Sequence, residues 1–457
     1  MQFPQEFINI LGEILAEEEQ GRLTDALKTD PEVSIRFNPT VPDAERLVIE
    51  SLGCKKDGVV PWAENAVYLD HRPQFTHDPL LHQGCYYVQE ASSMFLEQAV
   101  RACVKSPVRV LDLCAAPGGK STLLASLLPQ GSLLVCNEIQ RGRAQILAEN
   151  MTKWGRPEVV VTCNTSKQIG ESNLMFDLIA VDAPCSGEGM FRKDEGAVAD
   201  WSIQNVEMCA LRQRQIIEDI WPALKPGGYM IYSTCTFNRH EDEDNVRWIM
   251  EKFGAETMPI AVKPEWKISG SLTGDNFPVY HFMQHRTRGE GFFLCLLRKP
   301  EGSTAILKNR PFKSDSSKVP AECKKWLNPE KSYEFFVKKE SIYAFPTGLA
   351  DEMWQVEQEL YTLVSGIEVA VMKGRDWVPA HALAMSSALN RTSFCCVEVT
   401  RLQALAYLHC DALRLEDAPR GIVLLTYKNI PLGFAKNIGN RANNMYPQEW
   451  RIRNAIS

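Results

Sequence analysis

The central part of the chain alternates between short apolar runs and stretches with helical spacing of apolar residues. Strands are predicted at 108–114, 132–138, 159–163, 176–182 and 229–234. Helices are predicted at 120–128, 141–154, 203–223 and 241–253. This alternation, with crossovers of the usual length, is typical of an α/β domain in which helices cover both faces of a mostly parallel sheet.

A smaller unit precedes this region. Residues 3–28 carry apolar side chains at the spacing of an amphipathic helix, and residues 33–38 alternate like a strand. Residues 44–52 suit another helix. We therefore predict a small α+β domain at the amino-terminal end.

Further elements follow the central strands. Apolar runs at 277–282 and 291–297 predict a closing antiparallel hairpin, and a segment rich in Lys, Ser and Pro then predicts a linker. A helix near 352–360 and short strands at 421–427 and 430–434 predict more small domains. The predicted organisation is an N-terminal α+β domain 1–75, a central domain 76–299, a linker 300–320, a small α+β domain 321–375 and a C-terminal domain 376–457.

Composition narrows the class of protein. The apolar stretches all fall short of the roughly 18 residues that a membrane span needs, and the first residues do not follow the pattern of a signal peptide. We expect a cytoplasmic protein without membrane contact. The 14 cysteines are scattered without a Cys-x-x-Cys pair, so we expect reduced thiols and no metal site.

Charge gives a weaker signal. The formal net charge of −7 argues against general binding of polyanions. Residues 421–457, however, contain five basic side chains and one acidic side chain: Lys428, Lys436, Arg441, Arg451, Arg453 and Glu449. This local excess fits a nucleic-acid-binding surface, and it fits a solvated basic tail equally well.

The first candidate site is a glycine turn between a strand and a helix. An apolar strand from Val108 stops at Pro117-Gly-Gly119, where glycines allow backbone to approach a ligand closely. Amides at the start of a helix suit a nucleotide-like cofactor. The ending Gly119-Lys-Ser121 is similar to a phosphate loop, but that loop requires a glycine where Cys114 stands. A nucleoside triphosphate is therefore the less favoured ligand.

Acidic and thiol side chains follow other predicted strands. Glu138 stands where such folds place a carboxylate on ribose hydroxyls, although a helix dipole also favours an acid there. Asp182 precedes Cys185 in a Pro/Gly-rich loop, and Cys235 follows a buried strand. Ligands of doubly wound sheets bind beyond the carboxyl ends of strands, so these residues and Cys114 are expected at one edge. Either thiol could instead be a core cysteine.

Three segments in a fixed order resemble a known family. They are Leu111-Asp-Leu-Cys-Ala-Ala-Pro-Gly-Gly-Lys-Ser, Asp182-Ala-Pro-Cys-Ser-Gly and Ser233-Thr-Cys-Thr. Together they resemble the RNA cytosine-5 methyltransferases of the Fmu/Sun class, over residues from about 80 to 298. Segments 379–383, 433–436 and 443–447 are similar to the branch of that class known as ribosomal RNA small-subunit methyltransferase F, which carries a PUA-like RNA-binding module.

This resemblance implies both architecture and activity. It implies a Rossmann-like class I methyltransferase domain with a seven-stranded, mostly parallel sheet, a small RRM-like α+β domain before it, and α+β and PUA-like domains after it. S-adenosyl-L-methionine is the implied cofactor. The implied product is 5-methylcytosine in RNA, in particular small-subunit (16S) ribosomal RNA. We expect ribosomal RNA or the small ribosomal subunit as partner, and a monomer.

The resemblance also implies roles for the thiols. Carbon 5 of cytosine is a poor nucleophile, so a thiolate first adds to carbon 6. By the family's pattern Cys235 is this nucleophile, Asp182 hydrogen-bonds the base, and Cys185 assists release of the methylated RNA. Chemistry alone leaves the attacking thiol open, because DNA cytosine-5 methyltransferases use the cysteine of their Pro-Cys motif. Both thiols need a lowered pKa or a nearby base.

Cofactor and RNA contacts are implied in the same way. The cofactor is expected along Cys114, Ala115, Ala116, Pro117, Gly118, Gly119 and Lys120, with Asp182 close by. Its ribose is expected to contact Glu138, and Arg143 is expected at the rim of the cofactor site. Asn164 stands where the family has an acid, so its amide oxygen would read the adenine amine. Arg192 and Lys193 are expected on phosphates beside a flipped base, and Lys436 and Arg441 on RNA in the last domain.

One alternative keeps the fold without the chemistry. The chain could be a catalytically silent RNA-binding or ribosome-assembly factor on a methyltransferase scaffold. The presence of both Cys185 and Cys235 at strand ends argues against it, because a silent scaffold has no need of the pair.

Overall fold

Residues 2–303 and 311–453 are described by the computed structural model, and within them four β-sheets form. Residues 304–310 of the predicted linker, and residues 1 and 454–457 of the predicted terminal domains, lie outside the described residues. Among the helices of the described ranges, none combines the length and the apolar character that crossing a membrane requires.

The amino-terminal unit is an antiparallel sheet with helices around it. Its elements are α1 (Gln5–Leu11), α2 (Glu17–Ala26), β1 (Ser34–Phe37), α3 (Ala44–Leu52), β2 (Lys56–Val59), β3 (Ala66–Leu69), α4 (Pro79–His82) and β4 (Tyr86–Val88), with strand order β2-β3-β1-β4. The single helix predicted over 3–28 is wrong, because α1 ends before Gly12 and the chain turns to bury Ile14 and Leu15. β4 lies beyond the predicted limit at residue 75 because it pairs with β1.

The central region supplies most of the largest sheet. Its elements are α5 (Leu96–Cys103), β5 (Arg109–Asp112), α6 (Gly119–Leu127), β6 (Leu133–Asn137), α7 (Arg141–Trp154), β7 (Val159–Thr162), α8 (Ser166–Gly170), β8 (Phe176–Asp182), α9 (Glu195–Asp200), α10 (Ile203–Ile220), β9 (Leu224–Thr234), α11 (Glu243–Phe253), β10 (Glu256–Thr257), β11 (Tyr280–Phe282) and β12 (Phe292–Arg298). The predicted hairpin is confirmed, since β11 and β12 pair antiparallel.

The carboxy-terminal region adds two more sheets. Its elements are α12 (Ala321–Lys325), β13 (Tyr333–Lys338), β14 (Ser341–Pro346), α13 (Ala350–Glu359), β15 (Thr362–Ser365), β16 (Ile367–Lys373), β17 (Asp376–Pro379), α14 (His381–Met385), β18 (Cys395–Glu398), α15 (Arg401–Leu408), β19 (Gly421–Tyr427), β20 (Ile430–Asn437) and β21 (Ala442–Asn444). The strand orders are β13-β14-β16-β17 and β18-β19-β20-β21. β17 crosses the predicted limit at residue 375 because it pairs with β16.

The predicted Rossmann-like α/β class is confirmed by the topology of the central sheet. Parallel strands in the order β9-β8-β5-β6-β7 form its middle. Within the described residues the sheet has nine strands instead of the expected seven, because β10 and β15 extend its two edges. One of these, β15, comes from the carboxy-terminal region and pairs antiparallel with β7.

Helices cover both faces of this sheet. Side chains of α5, α6 and α7 pack on one face, where Val110 and Leu178 are buried. Those of α8, α10 and α11 pack on the other, where Leu111 and Ile179 are buried. Because successive residues of a strand point to opposite faces, the apolar runs at 108–114 and 176–182 are required for this two-sided core. The carboxyl ends of the parallel strands are therefore held at one edge.

Candidate active site

Two thiols meet at the carboxyl ends of neighbouring parallel strands. β8 ends at Asp182, which lies opposite Ser233 of β9. The loop after each strand carries a cysteine, and the two sulfur atoms, Cys185 Sγ and Cys235 Sγ, lie 2.9 Å apart as free thiols. The strand pairing thus brings together the two cysteines that the sequence places far apart in the chain.

The two cysteines differ in their electrostatic surroundings. The pKa of Cys185 is raised well above that of an ordinary thiol, because of its hydrogen bond with Cys235, its burial, and the nearby negative charge of Glu241. Cys185 is therefore held in the thiol form. Lys120 is a cation in the same site: burial opposes its charge, but Asp182, Asp112 and Cys235 together raise its pKa. The site thus holds a buried cation together with the two thiols.

Asp182 links this cation to the sheet edge. Lys120 Nζ lies 2.8 Å from Asp182 Oδ2, and Ser233 Oγ donates to Asp182 Oδ1 at 3.0 Å. The ammonium group also lies 5.2 Å from the ring centroid of Phe292. These contacts give the Asp182 carboxylate and the Lys120 ammonium one fixed arrangement next to the thiols.

The glycine turn after β5 is held from both sides. Gly118 has φ +119°, a conformation that favours glycine, and Gly119 begins α6. Arg143 donates to the carbonyl oxygen of Ala116 at 2.8 Å, and the Asn150 side chain donates to that of Pro117 at 2.8 Å. From the amino-terminal sheet, Arg36 contacts the carbonyl oxygen of Gly119 at 3.3 Å. The turn is therefore a fixed surface.

A cavity of about 480 Å³ joins the glycine turn to the thiol site. The predicted residues that line it are Cys114, Ala115, Ala116, Pro117, Gly119, Lys120, Asp182, Lys193 and Cys235. Glu138 follows β6 with its side chain 3% exposed, and it accepts from the backbone N–H of Gln140 at 2.9 Å. A fixed carboxylate at the next strand end and a cavity lined by the residues of the glycine turn suit a nucleoside with an amino-acid tail. The residues present thus fit S-adenosylmethionine.

The Asn164 side chain, predicted to contact adenine, is hydrogen-bonded to the backbone of Tyr361 in the structure. The Asn164 amide oxygen accepts from the backbone N–H of Tyr361 at 3.1 Å, and its amide nitrogen donates to the Tyr361 carbonyl oxygen at 3.2 Å. This exchange docks the segment that leads into β15. Asn164 therefore uses the predicted oxygen to hold the carboxy-terminal region at the cofactor edge.

Arg192, predicted to contact RNA, forms a buried ion pair in the structure. Its side chain is 5% exposed, pairs with Glu290 at 2.9 Å, and donates to the Gly289 carbonyl oxygen at 3.0 Å. Lys193 remains partly exposed beside the cavity, while Lys436 on β20 and Arg441 before β21 are exposed at the surface. A buried ion pair leaves Arg192 unable to reach a phosphate without breaking that pair.

Several residues of the site were missed by sequence reasoning. Tyr87, Gln89 and Arg72 of the amino-terminal unit line the cavity, as does Phe292 of β12. Sequence gave no signal for Arg72 or Phe292, because only the packing of distant segments brings them to the glycine turn. Glu188 was within the Pro/Gly-rich loop of Cys185, where an acid in an otherwise small-residue segment was a usable signal.

Comparison with known proteins identifies the family. Profiles described as 16S rRNA methyltransferase RsmB/F, the N-terminal domain of 16S rRNA methyltransferase RsmF, and the methyltransferase RsmF PUA domain match residues 104–298, 3–91 and 395–452. The ribosomal RNA small subunit methyltransferase F of Escherichia coli O157:H7 is 30% identical over 414 residues, which cover 85% of this chain and 84% of that protein. The chain belongs to the RsmF family. The predicted PUA-like domain is thereby confirmed.

Solved structures agree with this membership. A methyltransferase homologue from Pyrococcus horikoshii is 26% identical, has a TM-score of 0.56, and the match covers 65% of this chain and 95% of that one. NSun6 from Pyrococcus horikoshii, solved with SFG, is 19% identical with a TM-score of 0.56, over 66% and 99% of the two chains, and shows the shared fold. The RsmF family chain is an S-adenosylmethionine-dependent methyltransferase, which confirms the predicted cofactor.

Proposed function

We propose that this RsmF family chain transfers a methyl group to carbon 5 of cytosine in small-subunit ribosomal RNA. The transfer proceeds through a temporary bond between Cys235 and carbon 6. The observation that carries the proposal is the 2.9 Å contact of Cys185 and Cys235 at the wall of the glycine-turn cavity. The curated relatives that match the chain are named for small-subunit ribosomal RNA, which supports that substrate.

Cys235 is the residue that attacks the base. It lines the cavity together with Lys120 and Asp182, whereas Cys185 is not among the residues that line it. The thiolate adds to carbon 6, and the electron pair of the 5,6 double bond moves to carbon 5. S-adenosylmethionine, when bound, supplies the electrophilic methyl group that carbon 5 then attacks. Asp182, fixed by Lys120 and Ser233, hydrogen-bonds the base while this charge develops.

Cys185 is the base that completes the reaction. In the resting site its hydrogen bond with Cys235 is the foremost cause of its raised pKa. Once Cys235 is bound to carbon 6, that acceptor is consumed, so Cys185 can lose its proton to solvent. The resulting thiolate takes the proton from carbon 5, the carbon–sulfur bond breaks, and Cys235 leaves as a thiolate. One proton is released per methyl group, and the resting pair is restored.

The flanking domains supply the surface for the RNA. Lys193 at the cavity is the basic group beside the extruded base, and Lys436 and Arg441 are exposed on the last sheet. Their charges favour the RNA backbone, which carries no base information by itself. In this proposal the cavity selects cytosine and the distant domains select the RNA.

Methyl transfer to a defined substrate tests the proposal. The full chain is incubated with methyl-labelled S-adenosylmethionine and small ribosomal subunits, or their naked RNA, purified from cells that lack the enzyme. The expected product is labelled 5-methylcytidine after nuclease digestion. Cofactor binding without label in cytidine would refute cytosine methylation and would favour a silent RNA-binding factor. Label at another nucleoside would support methyltransferase activity but would refute cytosine as the methylated base.

A further inference from the structure

Two buried carboxylates connect the loops that carry the thiols. Glu188, on the loop of Cys185, accepts from the backbone N–H groups of Phe237 at 2.8 Å and Asn238 at 3.1 Å, just after Cys235. Glu241, on the loop of Cys235, accepts from the backbone N–H of Ser186 at 3.1 Å, next to Cys185. Each carboxylate thus holds the main chain of the opposite loop.

Side chains complete this arrangement. The Asn238 amide nitrogen donates to Glu188 Oε1 at 2.9 Å and to Glu241 Oε1 at 2.9 Å. Trp201 Nε1 donates to Glu188 at 3.1 Å, and Gln213 Nε2 donates to Glu241 at 2.7 Å. Within the described part of the chain these donors are neutral, although both carboxylates are fully buried. Burying two carboxyl groups among neutral donors is costly, and burial raises the pKa of Glu188 as well as that of Glu241.

We propose that Glu188 and Glu241 are positioning residues that set the separation of the two thiols by joining the loops that carry them. The pair is called the carboxylate clasp. A third contact also joins the two loops: the Gly189 N–H donates to the Cys235 carbonyl oxygen at 2.8 Å. A Cβ at Gly189 would lie 2.9 Å from that oxygen and 2.5 Å from the Gly291 oxygen, so the loops leave no room for a side chain.

The clasp acts on the chemistry through Cys185. The negative charge of Glu241 contributes to the raised pKa of Cys185, and so helps keep it in the thiol form. Glu241 itself has its pKa raised to about 7 by burial and by Glu188. The inference rests on the proposed cysteine chemistry for its consequence, but the effect on thiol reactivity can be measured without any methyl transfer.

Isosteric substitutions test the clasp. In Glu188→Gln and Glu241→Gln the new amide N–H group faces donors that were bonded to a carboxylate oxygen, so the loops are expected to part. Cofactor affinity should stay within about twofold, while single-turnover methyl transfer falls about 100-fold, as a displacement near 1 Å can cause. With Glu241→Gln, alkylation of Cys185 by iodoacetamide should begin at a lower pH, because a negative charge near Cys185 is removed.

Glu243→Gln is the matched control. Glu243 is equally buried, but it pairs with His281 at 2.9 Å and accepts from the Leu272 N–H at 2.9 Å, away from the thiol loops. It should lower the free energy of unfolding without changing the pH profile of alkylation. If both clasp variants behave like this control, the inference is overturned. If wild-type protein makes no 5-methylcytidine, the proposed function fails, and alkylation still decides on the clasp.

A milder variant covers the case in which neither clasp variant folds. Trp201→Phe removes one donor to Glu188 and leaves both carboxylates in place. A fall in the single-turnover rate with unchanged cofactor affinity would support the clasp. An unchanged rate and an unchanged alkylation profile would overturn it.

Discussion

The Sγ atoms of Cys185 and Cys235 lie 2.9 Å apart, and this contact is the foremost cause of the raised pKa of Cys185, while the proposed mechanism gives the two thiols different roles. Replacing each should therefore have a different result. Cys235→Ala is expected to abolish methyl transfer, because carbon 6 loses its nucleophile. Cys185→Ala should leave RNA covalently attached, because the carbon 5 proton is not removed. Denaturing gels with labelled RNA measure the adduct. An adduct in Cys235→Ala instead would reverse the two roles.

The same proximity predicts sensitivity to oxidants. Hydrogen peroxide should convert the two thiols into a disulfide with release of two water molecules, since only a small approach of the sulfur atoms is needed. Methyl transfer should fall and should return on treatment with dithiothreitol. Peptide mapping under non-reducing conditions identifies the linked peptides, and also detects oxidation of the exposed Cys395 and Cys396. Loss of activity without a Cys185–Cys235 peptide would contradict this prediction.

A pH dependence is expected from Asp112 at the end of β5. Burial, reinforced by the charge of Asp182, raises the pKa of Asp112 to about 7. The folded state therefore binds this proton more tightly than the unfolded state does. The contribution to stability is complete below the unfolded pKa of about 4 and is lost as pH rises to about 7.

Asp112→Asn isolates this effect, because asparagine does not titrate and can accept the hydrogen bond from Ser121. The free energy of unfolding of wild type relative to the variant should fall by about 1.4 kcal/mol per pH unit between about pH 5 and 6.5. Urea unfolding at several pH values measures it. A difference that is constant with pH would show that the carboxyl group is ionised throughout.

The buried pair of Arg192 and Glu290 predicts a loss of stability instead of a simple loss of RNA binding. Arg192→Ala leaves the Glu290 carboxylate, 2% exposed, without its main partner and should cost about 3–5 kcal/mol in the free energy of unfolding. Lys193→Ala is the neighbouring control: its side chain is partly exposed and lies farther from the same carboxylate, at 3.5 Å, so its loss should cost less stability and affect RNA affinity more. Urea unfolding and filter binding separate the two effects. Equal stability of the two variants would contradict the buried-pair interpretation.

Much of the architecture could be predicted because it depends on local patterns. The apolar runs of β5 and β8 and the glycine turn determine where strands end, and strand ends determine the site edge. The sequence therefore predicted that Cys235 and Asp182 lie at one edge of the sheet, and in the structure both line the same cavity. The strand count was wrong because β10 and β15 extend the sheet at its edges, and residues 163–361 separate β15 from its partner β7.

Partners of polar groups were harder to predict than their positions. Arg192 follows a glycine loop as a phosphate-binding arginine would, but Glu290, far along the chain, neutralises it. Asn164 stands at the expected strand end, yet its amide oxygen accepts a hydrogen bond from the backbone N–H of Tyr361. In each case the missing information was which distant segment docks on the residue, and local spacing does not contain it.

The pairing of β15 with β7 affects how the protein can be divided. A chain shortened before Tyr361 would leave the backbone groups of β7, a run of Val159, Val160, Val161 and Thr162, without a neighbour at the sheet edge. An open apolar edge of this kind is a template for pairing between molecules. The methyltransferase domain alone is thus expected to self-associate. In the full chain, β15 of the carboxy-terminal region covers the β7 edge and so prevents that pairing between molecules.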